Sequence, residues 1–195
     1  DLKIIKLPSG EKIKNFKFAY GLVENLLKYN LNRSDCIVAF GGGTLGDLSS
    51  FVASLIKRGV KFINVPTTLL AQVDSCIGGK TGINSRHGKN LIGTFYQPDL
   101  VIIDTKFLKS LPNNQIKSGY AEIFKHSLIK DGKYFYWLEK NYKNILSLKE
   151  PFLIHAIYKS VKIKSNIVSN DEKETLNIAE SRAILNFGHT VGHAI

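Results

Sequence analysis

The sequence contains no methionine, one tryptophan and only two cysteines in 195 residues. Cys36 and Cys76 each lie in an apolar stretch without paired spacing, which excludes a disulfide framework and points to a reducing compartment, the cytosol. Long hydrophobic runs are missing too: a run such as Cys36–Phe40 falls far short of the roughly 20 residues a membrane span needs. There is no signal-peptide pattern, and the chain opens at Asp1 on a strand-like run already under way, so it reads as part of a longer protein. Arginine is scarce. Of 27 basic residues only Arg33, Arg58, Arg86 and Arg182 are arginine, and the lysines are spread over nearly every predicted helix. The net charge of +11 therefore lacks the arginine-rich, aromatic-interleaved stripe of a nucleic-acid surface. It favours small anionic ligands, because clefts focus such a field. With 44% hydrophobic and 22% charged residues, the composition is that of a packed globular protein of one or two domains.

Up to about Asp104, short β-rich runs alternate with amphipathic stretches. Cys36–Phe40, Lys61–Val65 and Leu100–Ile103 read as buried strands, which predicts an α/β fold with a parallel, Rossmann-like sheet. After Pro112 the strand signal stops, and helices are expected over Asn113–Lys130, Lys133–Ile145, Pro151–Val168 and roughly Ser181–Ile195. Proline fits a helix's first turn and disfavours helix in the residue before it, so a boundary at Leu111-Pro112 divides an α/β unit, residues 1–111, from an all-α unit, residues 112–195.

Three groups of residues carry chemistry. Gly41, Gly43 and Gly46 satisfy G-x-G-x-x-G between a strand end and a helix start, where bare N–H groups can cradle a pyrophosphate. The acidic residue a dinucleotide fingerprint places some 20 residues on is missing from Lys61–Pro66, and a tight strand-to-helix turn explains the glycines equally well. A second group follows in Pro66–Asp74, Gly78-Gly79-Lys80-Thr81 and Gly88-Lys89-Asn90. Thr67, Thr68, Asp74, Lys80, Lys89 and Asn90 alternate there with glycines, in a loop too long for a plain connector and suited to phosphate or carboxylate. A Walker A loop would need glycine where Asp74 stands. The third group is metal-like: His189 and His193 lie one helical turn apart, and Glu122 shares a helix face with Lys125 and His126. A zinc site needs at least three ligands, and the residues alone do not name the third. His87, His126 and His155 read as structural.

Taken in order, these residues resemble the 3-dehydroquinate synthase family of sugar-phosphate cyclases. The resemblance runs from Ser9-Gly10-Glu11-Lys12-Ile13-Lys14 through Gly41–Asp47, Arg58-Gly59-Val60, Pro66–Asp74, Gly78–Thr81, Gly88–Asn90, Phe95-Tyr96-Gln97-Pro98 and Ala121-Glu122-x-x-Lys125 to Leu185–His193. It implies conversion of 3-deoxy-D-arabino-heptulosonate 7-phosphate to 3-dehydroquinate and phosphate, a step of the shikimate pathway, with NAD and zinc or cobalt, in a cytoplasmic homodimer without nucleic acid or membrane. By motif match NAD contacts Glu11, Lys14, Gly43, Thr44, Leu45, Gly46, Asp47, Thr67, Thr68, Lys80, Lys89 and Phe107, Leu108, Lys109 and Ser110. Zinc falls to Glu122 and His189, with a third ligand in a His-Gly-Glu motif beyond Ile195. The substrate falls to Asp74, Lys80, Asn90, Lys125, Lys164, Arg182, Asn186 and His193, with Arg58 reaching the phosphate from a partner subunit. Asp171–Glu180 runs a few residues longer than the family's spacing before Arg182, which leaves the register of Lys164 against Arg182 open. Two related readings remain beside it: another cyclase such as 2-deoxy-scyllo-inosose synthase, and a polyol dehydrogenase of the glycerol dehydrogenase type.

Overall fold

The computed structural model describes residues 2–176 and 181–188. A short 3-10 turn at Glu11–Ile13 leads into α1, Phe16–Leu27, whose N-cap Asn15 accepts from the Phe18 amide at 2.9 Å and whose Ala19 and Leu22, one turn apart, enter the core. There follow β1 (Cys36–Gly41), α2 (Gly43–Leu55) and β2 (Lys61–Pro66). The expected long loop contains an antiparallel hairpin, β3 (Ile83–Ser85) and β4 (Gly88–Ile92), before β5 (Leu100–Val101). Three helices complete the described chain: α3 (Asn113–Lys130), α4 (Gly132–Leu146) and α5 (Glu150–Asn170).

The main sheet has the order β1-β2-β5, all parallel, with Cys36 opposite Lys61 and Gly41 opposite Pro66. α2 lies against one face, and Leu48, Val52, Phe62 and Ile56 close that core. The other face departs from the expectation of fully buried strands. Val38, Phe40, Leu100 and Ile102 are exposed, and of β1 only Ala39 is buried. A continuous apolar run suits a strand covered on both faces, but β1 and β5 are the edges of this sheet and the described helices cover one face only.

The helical part has a second core, Ile116, Ile123, Tyr134, Leu138, Leu153 and Ile157, and it extends into the first half through Leu69, Val73 and Leu108. α3 spans the predicted residues; α4 starts one residue earlier than expected because Asp131 caps it, accepting from the Tyr134 amide at 2.9 Å. The helix expected from Ser181 is not continuous. Arg182–Asn186 is a 3-10 turn, Phe187 caps it with its amide on the Ile184 carbonyl, and Gly188 has φ 81°, a left-handed conformation that ends the turn. Residues from His189 on lie outside the described ones.

Within this second core, α3 comes closest to residues 69–70 at Gly119. A Cβ there would stand 2.6 Å from the Leu69 side chain and from the Leu70 backbone nitrogen. Gly119→Ala is accordingly expected to cost about 1–3 kcal/mol, the usual penalty of overpacking. Urea unfolding measures this, and an unchanged midpoint and slope would show that α3 does not lie this close to residues 69–70.

Candidate active site

The β1–β2 register sets the glycine-rich turn after Gly41 beside Pro66-Thr67-Thr68 at the carboxyl ends of the strands, where parallel sheets bind ligands. The Thr67 amide donates to the Gly41 carbonyl at 2.9 Å, locking the two segments together. A Cβ on Gly43 would meet the Ser75 hydroxyl at 2.8 Å, so glycine is needed here for tight packing. No side chain caps the Gly42 end of α2, so its first amides carry no side-chain acceptor and can serve an anion. Tight packing thus accounts for the missing side chains, and the helix start leaves N–H groups without a side-chain acceptor.

Around this helix start, three remote pieces of chain converge. Glu11 accepts from the Thr44 hydroxyl at 3.0 Å and from the Asn84 amide group at 2.8 Å. Buried Lys14 donates to Asp47 and to Asn90, each at 2.6 Å. The Asn84 bond is the main influence holding the Glu11 carboxyl below its usual range, whereas burial raises that of Asp47 despite the Lys14 ammonium. Asn90 sits at φ 57°, a conformation asparagine tolerates, and so turns its side chain to Lys14 within a bulged hairpin. Thr68 caps the following turn, accepting from the Ala71 amide at 3.2 Å, and Lys89 is exposed. In the 3-10 segment Thr105–Ser110, Lys109 and Ser110 are exposed and Phe107 packs edge-on against Phe40 at 4.9 Å. Leu108 is fully buried in the helical core, so its side chain is structural and only its backbone can face a nucleotide.

A second cluster lies one turn further along the same segment. Ala71–Ser75 forms a single π-helical turn, a device common at functional sites, and it aims Asp74 at the helical part. Lys164 of α5, buried, donates to the Asp74 carboxylate at 2.6 Å and to its carbonyl at 2.5 Å. Burial raises the Asp74 carboxyl, but the Lys164 ammonium outweighs it and leaves it below the usual carboxylate range. On α3, Glu122 pairs with Lys125, without hydrogen-bond directionality: Glu122 Oε2 is buried with no hydrogen-bond partner. His126, read from the sequence as merely structural, has its Nδ1 2.5 Å from the Ser160 hydroxyl and its Nε2 buried without a partner. Burial lowers its pKa to about 4, so the ring is neutral near pH 7. Donor atoms of Asp74, Glu122 and His126 all lie within 4.8 Å of one another. An unpartnered buried nitrogen such as His126 Nε2 costs about 1–3 kcal/mol in a core, and a carboxylate with a neutral imidazole is a fitting donor set for a divalent metal.

Lys80, exposed, forms a third group. It pairs with Glu174, which also accepts from Asn186 at 3.2 Å. Burial works against the Glu174 carboxylate, but the Lys80 bond prevails and lowers its pKa. Buried Arg182 donates to the Glu172 carbonyl at 2.6 Å and lies over the Phe95 ring at 5.9 Å. Asp171 accepts from the amides of Thr175, Leu176 and Arg182 at 2.8, 3.3 and 3.0 Å. One carboxylate thus gathers amides from both sides of residues 177–180, while Lys164 pairs with Asp74 and Arg182 lies against Phe95. Arg58 stands apart and exposed. The 13 residues of α2 rise about 1.5 Å each, placing it roughly 20 Å or more from the Gly43 end. Lys57 and Arg58 are consecutive left-handed residues, at φ 53° and 65°. His189 and His193 lie outside the described residues.

Comparison with known proteins accords with this arrangement. The model of the 3-dehydroquinate synthase N-terminal part matches residues 4–118, and that of the C-terminal part matches residues 119–195. The chain belongs to the 3-dehydroquinate synthase family. A 3-dehydroquinate synthase of Pelagibacter ubique is 57% identical over 186 residues, covering 95% of this chain and 50% of the relative. The chain spans about half the length of the curated family members it matches. Among solved structures, ValA, a 2-epi-5-epi-valiolone synthase of Streptomyces hygroscopicus with NAD+ and Zn2+ bound, superposes with a TM-score of 0.85 at 28% identity, over 94% of this chain and 51% of that one. A 2-deoxy-scyllo-inosose synthase complexed with carbaglucose-6-phosphate, NAD+ and Co2+ also gives 0.85, at 32% identity over 99% and 52%. The α/β fold with a parallel, Rossmann-like sheet is thus that of the sugar-phosphate cyclases. Among the described residues no helix is long and apolar enough to cross a membrane.

Proposed function

We propose that the protein containing this chain is a 3-dehydroquinate synthase that converts 3-deoxy-D-arabino-heptulosonate 7-phosphate to 3-dehydroquinate and phosphate. The observation that carries this reading is the single segment Pro66–Ser75, which lines the nucleotide cradle at one end and delivers Asp74 to the Glu122 and Lys164 cluster at the other. Bound NAD would supply reversible hydride storage, and bound zinc or cobalt a Lewis acid for the hydroxyl being oxidised. The start of α2 from Gly43 to Asp47, with Glu11, Lys14, Thr67, Thr68, Lys80 and Lys89, holds the nucleotide, and Phe107 to Ser110 bound it. Glu122 and His189 hold the metal, with a histidine from beyond Ile195.

The chain's cations do the rest of the positioning. Lys125 and Lys164 fix the substrate's oxygen atoms beside Asp74, and Asn90, Arg182 and Asn186 orient its polar groups. Lys80 and, across a homodimer, Arg58 offset the charge of the departing phosphate through charge-assisted bonds. The exposure of Arg58 at the far end of α2 supports that reach to a partner. His193 moves a proton at the reacting hydroxyl, as an imidazole poised near neutrality can. We infer a two-part organisation divided at Leu111-Pro112, and a cytoplasmic setting.

The test is phosphate release from the heptulosonate phosphate by the full-length protein, with and without NAD and a chelator, while absorbance follows NADH. Release that requires both NAD and metal, without net NADH, is the expected result. Net NADH from a polyol, or no phosphate release, would overturn the cyclase reading.

A further inference from the structure

Glu122 and His126 are four residues apart on α3, so both side chains leave one face of the helix a single turn from each other. We infer that His126 is a ligand of the divalent metal in this protein, its Nε2 joining Glu122 at the same ion. The inference rests on the metal-dependent reading of the site above.

His126 is completely buried, and its two ring nitrogens have different surroundings. Nδ1 meets the Ser160 hydroxyl of α5, Nε2 is buried with no hydrogen-bond partner, and a ring nitrogen lies within 4.8 Å of carboxylate oxygens of Asp74 and Glu122. When Nδ1–H donates to Ser160 Oγ, the lone pair is on Nε2, the arrangement by which an outer partner fixes the tautomer and orientation of a metal-ligating histidine. The 4.8 Å span of the donor atoms is also close to what one ion accepts, since ligands about 2.0–2.2 Å from a metal stand at most about 4.4 Å apart. Asp74 is the weaker candidate of the three. Lys164 binds it through well-directed hydrogen bonds, whereas the Lys125 contact leaves Glu122 Oε2 without one.

The experiment uses the full-length protein and reads metal binding, not turnover. Zinc affinity is measured by competition with a chromophoric chelator, and Co2+-substituted protein is followed by its visible absorption. The double variant His126→Phe with Ser160→Ala leaves neither polar group orphaned; it is expected to bind zinc roughly 100-fold more weakly and to shift the cobalt bands, and Ser160→Ala alone to weaken zinc roughly 10-fold. Unchanged affinity and spectrum in the double variant would overturn the inference. X-ray absorption of the wild-type zinc protein needs no variant. Three imidazoles are expected, with His189 and the histidine of the His-Gly-Glu motif as the other two, and two would exclude His126. Wild-type protein that retains no zinc would instead bring down the metal reading beneath, while zinc held by two imidazoles removes His126 alone.

Discussion

Glu122→Gln, made in the full-length protein, is expected to abolish retention of the divalent metal, with affinity lowered by more than about 100-fold, the upper end for loss of even an outer partner. The substitution keeps the side chain's shape while removing the charge that pairs with Lys125 and would make Glu122 a ligand. The fold is expected to persist, because the core residues of α3, Ile116 and Ile123, are untouched. Metal analysis after dialysis, paired with a urea transition to confirm cooperative unfolding, gives the answer. Metal content equal to wild type would sink the assignment of Glu122.

Lys164→Met is expected to produce the largest loss of stability. Lys164 is buried, and its ammonium is the principal counter-charge to Asp74, which shares its surroundings with Glu122. Removing one member of a buried ion pair costs about 3–5 kcal/mol; because the Asp74 side chain keeps 32% of its exposure, the lower end, about 3 kcal/mol, is expected. The effect has a pH signature. The Asp74 carboxyl is held below its ordinary value in the folded chain, so its contribution is complete above the unfolded-state value near 4 and is lost as pH falls through the lower folded-state value. Lys164→Met should therefore flatten the acid limb of the stability curve as well as lower its plateau. Urea unfolding at a series of pH values measures both. A loss under about 1 kcal/mol with an unaltered acid limb would show the pair to be a solvent-screened contact. Asp74→Asn combined with Lys164→Met should cost less than the two single changes added together, since the pair is removed as a unit.

The elements most readable in the sequence were those with a strong period. The pattern of α3 gives both of its ends, and the alternation of apolar runs with amphipathic stretches gives a parallel sheet. The β3–β4 hairpin was hidden because Ile83–Ser85 and Gly88–Ile92 are short, rich in glycine and polar residues, and bulged, so no two-residue period survives. The open face of β1 was hidden for another reason: an apolar strand looks the same whatever lies across from it. Asp74 and Lys164 are 90 residues apart, Lys80 and Glu174 are 94, and spacing along a chain cannot report such meetings. His126 lies between these cases. Its i+4 relation to Glu122 was visible, but only the packing of α5 shows that Ser160 takes one ring nitrogen and leaves the other free.

The clasp at Asp171 bears on how this protein can vary. One carboxylate collects the amides of Thr175, Leu176 and Arg182, so a substitution at Asp171 releases all three together. Asp171 thus fixes the backbone of Arg182, as the Glu172 carbonyl fixes its guanidinium, and the Asp171 side chain itself need never touch substrate.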